Sequence, residues 1–237
     1  MDKPVPIVFA DRIKRQPRQA MCMERLANEV MKLKSSKTGR LIRKRIEEFI
    51  GLHDQDDEFW FSELCFCLLT ANCSAEMGVR IQQTIGQKFS TLPAHILAKR
   101  LKGLRYRFPN RRAEYIAEAR KYRNAKEVCL EHIGEKEKEE KVKDLREWLV
   151  KNVKGLAYKE ASHFLRNVGY LNVAILDRHI LGILLEYELI DNIPKTLAKR
   201  NYLEIESVVG DLAKRVDLSV GELDLYLWYM KTRKILK

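Results

Sequence analysis

The chain has 237 residues, 46% of them hydrophobic and 33% charged, which suits one or two compact lobes and argues against disorder. Against 33 Asp and Glu stand 45 Lys and Arg, a formal charge of +12 that favours a polyanionic partner, nucleic acid being the commonest. No run reaches the roughly 18 apolar residues of a membrane helix, and MDKPVPIVFADRIKR lacks the apolar core and cleavage site of a secretory signal, so a soluble, cytoplasmic protein without a membrane partner is expected.

Only 11 Gly and 6 Pro punctuate the chain, and apolar residues recur at three- and four-residue spacing, so an all-α fold is predicted. In chain order the expected helices are 22–34, 40–51, 57–70, 75–88, 93–101, 110–122, 136–152, 159–167, 178–188, 201–215 and 219–235. Two starts carry named signals: Asp177 before HILGILLEYEL fits an N-cap, and Ser219 with Glu222 fits a capping box. The cysteines Cys22, Cys65, Cys67, Cys73 and Cys129 lack paired CxxC spacing and read as core residues in a reducing compartment. No zinc site is expected from them and the five scattered histidines.

The charge is uneven. Residues 1–45 hold 13 basic and 4 acidic side chains, and residues 99–126 hold 11 and 2, so each segment carries +9. The run EKEKEEKVKDLRE at 135–147 mixes signs at helical spacing and reads as a solvated face. Within 99–126, Tyr106, Phe108 and Tyr115 interleave with Arg105, Arg107, Arg111 and Arg112. Such a segment either neutralises phosphates while its rings stack on bases, or is a basic loop leading into a helix capped by Asn110, with the rings in the core.

The segment VKGLAYKEASHFLRNVG at 153–169 puts Gly155 and Ala157 in a tight turn between two helical stretches, the second starting near Lys159. This is a helix–hairpin–helix pattern. The N–H groups of its turn and new helix N-terminus point outward and can hold a DNA phosphate without reading sequence. Lys159 lies four residues after Gly155, and Asp177 lies 18 residues further on, opening the next helix.

With this spacing the chain resembles the helix–hairpin–helix DNA glycosylase superfamily, and within it the archaeal type-2 8-oxoguanine DNA glycosylase/AP lyases, from LLTANCSAEM at 68–77 to WYMKTRKILK at 228–237. Ala157 stands where the superfamily's Gly-x-Gly-x-Lys turn has its second glycine. No cysteine follows Cys129, which excludes the variant with a C-terminal iron–sulfur cluster.

The resemblance implies a two-lobed DNA repair enzyme without metal or organic cofactor, monomeric, acting on damaged double-stranded DNA. The lobes are expected to divide as 1–55 with 186–237, and 56–185. Lys159 would be the nucleophile and Asp177 the carboxylate that offsets positive charge developing on the deoxyribose. A lysine attacks only as its neutral amine, a form that desolvation and neighbouring cations favour. Attack at C1′ would lead to a Schiff base and β-elimination, so base removal and strand nicking share one intermediate. Gly155, Ala157 and His179 would contact DNA phosphates. Asn72 would fill the gap left by the extruded nucleotide.

Trp228 would stack on the purine, and the carboxylate of Lys237 would accept from the N7–H that 8-oxoguanine has and guanine lacks. Two alternatives stay open at this level: a glycosylase/lyase for another oxidised base, and a non-catalytic helix–hairpin–helix DNA-binding module.

Overall fold

The structure, a computed structural model, describes residues 8–71, 73–134 and 139–236, with side chains from residue 18 onward. Two of the expected site residues, Asn72 and Lys237, lie outside the described residues. Among the described residues twelve α-helices follow one another: α1 (Val8–Lys34), α2 (Lys37–Leu52), α3 (Asp57–Thr70), α4 (Ala75–Ile85), α5 (Ala94–Gly103), α6 (Pro109–Ala119), α7 (Ala125–Ile133), α8 (Glu139–Asn152), α9 (Tyr158–Asn167), α10 (Arg178–Glu186), α11 (Lys199–Arg215) and α12 (Val220–Thr232). The fold is all-α, and its hairpin joins α8 to α9.

Local chemistry sets many of the boundaries. Ser36, Asp56, Ser74, Asp177 and Ser219 each accept a backbone N–H of the helix they open, satisfying donors that have no intrahelical partner. Ser219 and Glu222 form the expected reciprocal box. The helix expected at 110–122 begins instead at Pro109, with Phe108 at the N-cap and no side-chain cap from Asn110; proline has no N–H to lose at the first helical position. The helix expected at 75–88 stops at Ile85 because Gly86 turns the chain at φ +51° into a 3-10 turn. Arg233, at φ +59°, ends α12 short of the expected residue 235.

The one helix without a sequence expectation is α7. Asn124 gives it no side-chain cap, and its first N–H groups, at Lys126 and Glu127, donate instead to Asp57 Oδ1 at 2.8 and 3.3 Å from the start of α3. Its cap is about 70 residues away in sequence, where no local pattern records it.

Two apolar clusters organise the packing. One gathers around α3, where residues from Trp60 to Leu69 are buried on nearly every face, and draws on α4 through α9 as far as Val173. The other joins α1 and α2 to α10, α11 and α12, together with Tyr158, Ala174 and Leu176. Cys22, Cys65, Cys67 and Cys129 are buried, as expected of core residues, whereas Cys73 is half-buried.

Between the clusters lies a polar knot. Arg146 of α8, 1% exposed, meets Glu206 of α11 in a bidentate pair at 2.6 and 2.8 Å, with its guanidinium 5.4 and 5.5 Å from the rings of Tyr158 and Tyr202. Arg146 also donates to Ser162 of α9 at 3.2 Å, Glu206 accepts Ala174 N–H at 2.8 Å, and Tyr202 donates to Ala174 O at 2.5 Å. Removing one partner of such a pair strands a buried charge, so Glu206→Ala is expected to lower the unfolding free energy by about 3 kcal/mol in urea titrations, whereas an exposed break such as Glu204→Ala changes it by less than about 1 kcal/mol.

Candidate active site

The hairpin turn leads directly into α9. Gly155 adopts φ +95°, and a Cβ built there would lie 2.3 Å from the ring of Tyr115, so both conformation and space demand glycine. Tyr115 also accepts from Arg111 Nε at 2.6 Å. Of the three rings in the basic segment, Tyr106 is a core residue, 5% exposed, with its hydroxyl on Leu69 O at 2.7 Å. Tyr115 packs under the hairpin, and Phe108 is exposed.

At the N-cap of α9, Ala157 has no oxygen to offer the first-turn N–H groups. Its own N–H donates to Glu160 Oε2 at 3.3 Å, which closes half of a capping box and leaves the other half without a side-chain acceptor.

Lys159, His163 and Arg166 follow at helical spacing on one face of α9, and all three line a cleft of about 740 Å³. Lys159 is 20% exposed, its Nζ 3.8 Å from Glu160 Oε1. The same cleft is lined by Asp177 and His179 at the start of α10, by Asp224, Trp228 and Thr232 at one-turn intervals along α12, and by Ser74 to Glu76 at the start of α4. Asp177 Oδ1 accepts the N–H groups of His179 and Ile180 at 2.8 and 2.9 Å, so capping fixes the carboxylate's direction. His179 meets Trp228 edge to face with centroids 6.1 Å apart.

The structure therefore brings Lys159, Asp177, His179 and Trp228 to one concave surface. Gly155 and Ala157 belong to the hairpin that starts α9 and are not among the lining residues. The described neighbours of the two remaining candidates, Cys73 beside Asn72 and Leu236 beside Lys237, also line the cleft. Lys234 bridges to Glu76 at 2.6 Å, and this contact with Lys234 holds the Glu76 carboxyl below its usual range. It ties the segment after α12 to the start of α4.

The motifs had not pointed to Arg166 and Asp224. Arg166 Nη1 lies 3.5 Å from Asp224 Oδ2, and both side chains are almost wholly buried. Burial pushes the Asp224 carboxyl up to about 7; Arg166 opposes the rise, the charge of Asp177 adds to it, and Lys159 opposes it. The i, i+4, i+7 series Lys159, His163, Arg166 and the i, i+4 pair Asp224, Trp228 were readable as shared helix faces. That these faces meet was not.

A hairpin-led helix that presents a lysine in the same cleft as an aspartate capping the next helix, within an all-α fold, defines a helix–hairpin–helix DNA glycosylase. A family model described as 8-oxoguanine DNA glycosylase matches residues 42–218, and the chain belongs to that family. It is 51% identical to an 8-oxoguanine DNA glycosylase/AP lyase of Methanocaldococcus jannaschii, over 90% of this chain and 99% of that protein. A protein of the same name from Korarchaeum cryptofilum is 48% identical, over 92% of this chain and all of the relative.

The crystal structure of the M. jannaschii 8-oxoguanine glycosylase/lyase in complex with 15mer DNA containing 8-oxoguanine is similar with a TM-score of 0.85 at 50% identity, covering 90% of this chain and 99% of the other. That of the Thermotoga maritima 8-oxoguanine DNA glycosylase has a TM-score of 0.82 at 40% identity, covering 91% and 100%.

The crowding at Gly155 is directly testable. Gly155→Ala is expected to cost about 1–3 kcal/mol in thermal or urea unfolding, because it combines a strained backbone with a ring contact. Adding Tyr115→Ala should recover only the steric part.

Proposed function

We propose that this chain removes 8-oxoguanine from damaged double-stranded DNA and nicks the resulting abasic site. The observation that carries the reading is the convergence of Lys159 and Asp177 on one cleft directly after the hairpin, in a chain so similar to the relatives that bear that name. DNA phosphates dock on the hairpin turn that carries Gly155 and Ala157, where the first-turn N–H groups of α9 have no side-chain acceptor, on His179, and on the basic residues of 99–126, all independent of sequence. Asn72 takes the place of the extruded nucleotide, a reading that draws support from its neighbour Cys73, which lines the cleft.

As the base departs, positive charge builds on the sugar, and the Asp177 carboxylate stabilises it electrostatically. The Lys159 amine bonds to C1′ as the C1′–N9 bond breaks, and the electron pair of that bond leaves with the base. Opening of the sugar gives a protonated Schiff base, which acidifies the C2′ hydrogens. Loss of one of these expels the 3′ phosphate by β-elimination.

Trp228 stacks on the purine. The carboxylate of Lys237 accepts from N7–H and repels the bare N7 of guanine, and this assignment draws support from Leu236, which lines the cleft. The two apolar clusters support two lobes closing on the cleft, with α10 grouped with the terminal helices in place of the division after residue 185. The enzyme works as a monomer inside the cell, where its substrate lies.

Two experiments test the reading. Borohydride is expected to trap wild-type protein on an 8-oxoguanine duplex, and Lys159→Gln should abolish the adduct while duplex affinity stays within about threefold, because only the nucleophile is lost; adduct formation by that variant overturns the lysine assignment. Residues added after Lys237 should reduce the preference for 8-oxoguanine over guanine by at least about tenfold, the worth of one displaced charged acceptor. An extended enzyme as selective as the parent removes the carboxylate from base reading.

A further inference from the structure

Among the described residues four carboxylates line the cleft: Glu76 pairs with Lys234, Glu160 accepts the Ala157 N–H and lies 3.8 Å from Lys159 Nζ, and the two aspartates stand in opposite surroundings. Asp177 stands at the mouth of α10 with two backbone N–H donors on Oδ1. Asp224 is carried between Leu223 and Leu225 on the buried side of α12, 7% exposed. Its ion-pair partner is the Arg166 guanidinium, 3.5 Å away, longer than a full-strength charge-assisted hydrogen bond. Both aspartates line the same cleft as Lys159. Where two carboxylates share a site and their environments diverge, they divide the work: the one supplied with donors serves as the fixed charge, and the desolvated one exchanges a proton.

Resting on the glycosylase reading above, we propose that Asp224 takes the proton that Lys159 must lose before it attacks the sugar. Asp224 acts through Lys159, while Asp177 faces the sugar. In this step one N–H bond of the Lys159 ammonium breaks and one O–H bond forms on the Asp224 carboxylate. An ion pair becomes a neutral pair, and no other reactant enters. The summed charge of Lys159, Asp224, Asp177 and Arg166 is the same before and after, so the transfer moves no net charge into or out of the cleft.

The charged and titratable groups around Asp224 suit this task. Arg166 and Lys159 from α9 draw its charge out, Asp177 at the head of α10 opposes it, and burial outweighs both, so that the carboxyl titrates at about 7. An acceptor of that strength takes a proton near neutrality and binds it more firmly than a solvated aspartate would. Glu160, His163 and His179 line the same cleft, and Glu76 and Lys234 pair with each other at its mouth.

The test is the pH profile of single-turnover borohydride trapping with the full chain. It uses both an 8-oxoguanine duplex and a duplex with a preformed abasic site, from about pH 5.5 to about pH 9.5. The abasic-site arm needs Lys159 but no lesion recognition, so a wrong lesion assignment silences only the first arm. Asp224 must be ionised to accept, so the wild-type rate is expected to fall as pH drops through about 7.

Asp224→Asn removes that acceptor and leaves deprotonation of the lysine to solvent and to the groups that remain. The rate near neutrality should drop at least about tenfold and then climb with pH toward the wild-type value, as rising hydroxide takes over the deprotonation. Affinity for a duplex carrying an uncleavable abasic-site analogue should be unchanged. Asp224→Glu, which keeps a carboxylate, should keep the acid limb, and it carries the test should the Asn variant fail to fold. A folded Asn variant with the wild-type profile, an equal loss at every pH, or a folded Glu variant without the acid limb overturns the proposal.

Discussion

The geometry of the site depends on the buried Arg146–Glu206 pair. Taking two charges out of water costs several kcal/mol each unless geometry and further hydrogen bonds repay it, and here the repayment comes from the parts of the chain that carry the candidate chemistry. Arg146 reaches Ser162, one turn along α9 from Lys159. Glu206 holds Ala174 N–H, and the Tyr202 hydroxyl accepts Leu176 N–H at 3.4 Å while donating to Ala174 O. Ala174 to Leu176 run straight into Asp177. One polar knot thus sets the helix of the proposed nucleophile and the segment of the proposed carboxylate in a common frame, and it does so where the two apolar clusters meet.

Around that frame the site is organised by unequal solvation. A hairpin with an N-cap that offers no oxygen leaves backbone donors for an anion, and an aspartate committed to two N–H groups holds its direction. A second aspartate sits among leucines with a guanidinium just beyond close hydrogen-bond range. These contrasts come from where each side chain lies along its helix, since neighbouring turns of α9 and α12 point into the same cleft. In the proposed mechanism the chemistry needs a charged carboxylate and a neutral amine within one small volume, and a mixture of capped and desolvated groups is how a helical scaffold can supply both.

Much of this was legible in the chain. The three- and four-residue spacing of apolar residues announced helices, and Ser219 with Glu222 and Asp177 marked helix starts that the structure bears out, because capping is a contact between residues two or three apart. The hairpin glycine announced itself through a turn that only a residue without Cβ can make. By contrast, α7 went unannounced because its cap is Asp57 from another helix. Tyr106 and Tyr115 had two readings in a basic segment because aromatic residues among arginines suit a core as well as a nucleic acid. Packing against Leu69 O and Gly155 selected between those readings.

The amino-acid order by itself determined the helical class, the hairpin, the positive charge, and the spacing of Lys159 and Asp177, since each rests on neighbours along the chain or on simple sums over it. Only the tertiary structure decided that α12 brings Asp224 and Trp228 to the cleft that Lys159 of α9 lines, and that Arg166 balances a second aspartate there. Asp224 and Lys159 are 65 residues apart, and nothing local to either encodes their shared desolvation. Burial is a property of the folded surface, and the strength with which a carboxylate holds its proton follows from burial.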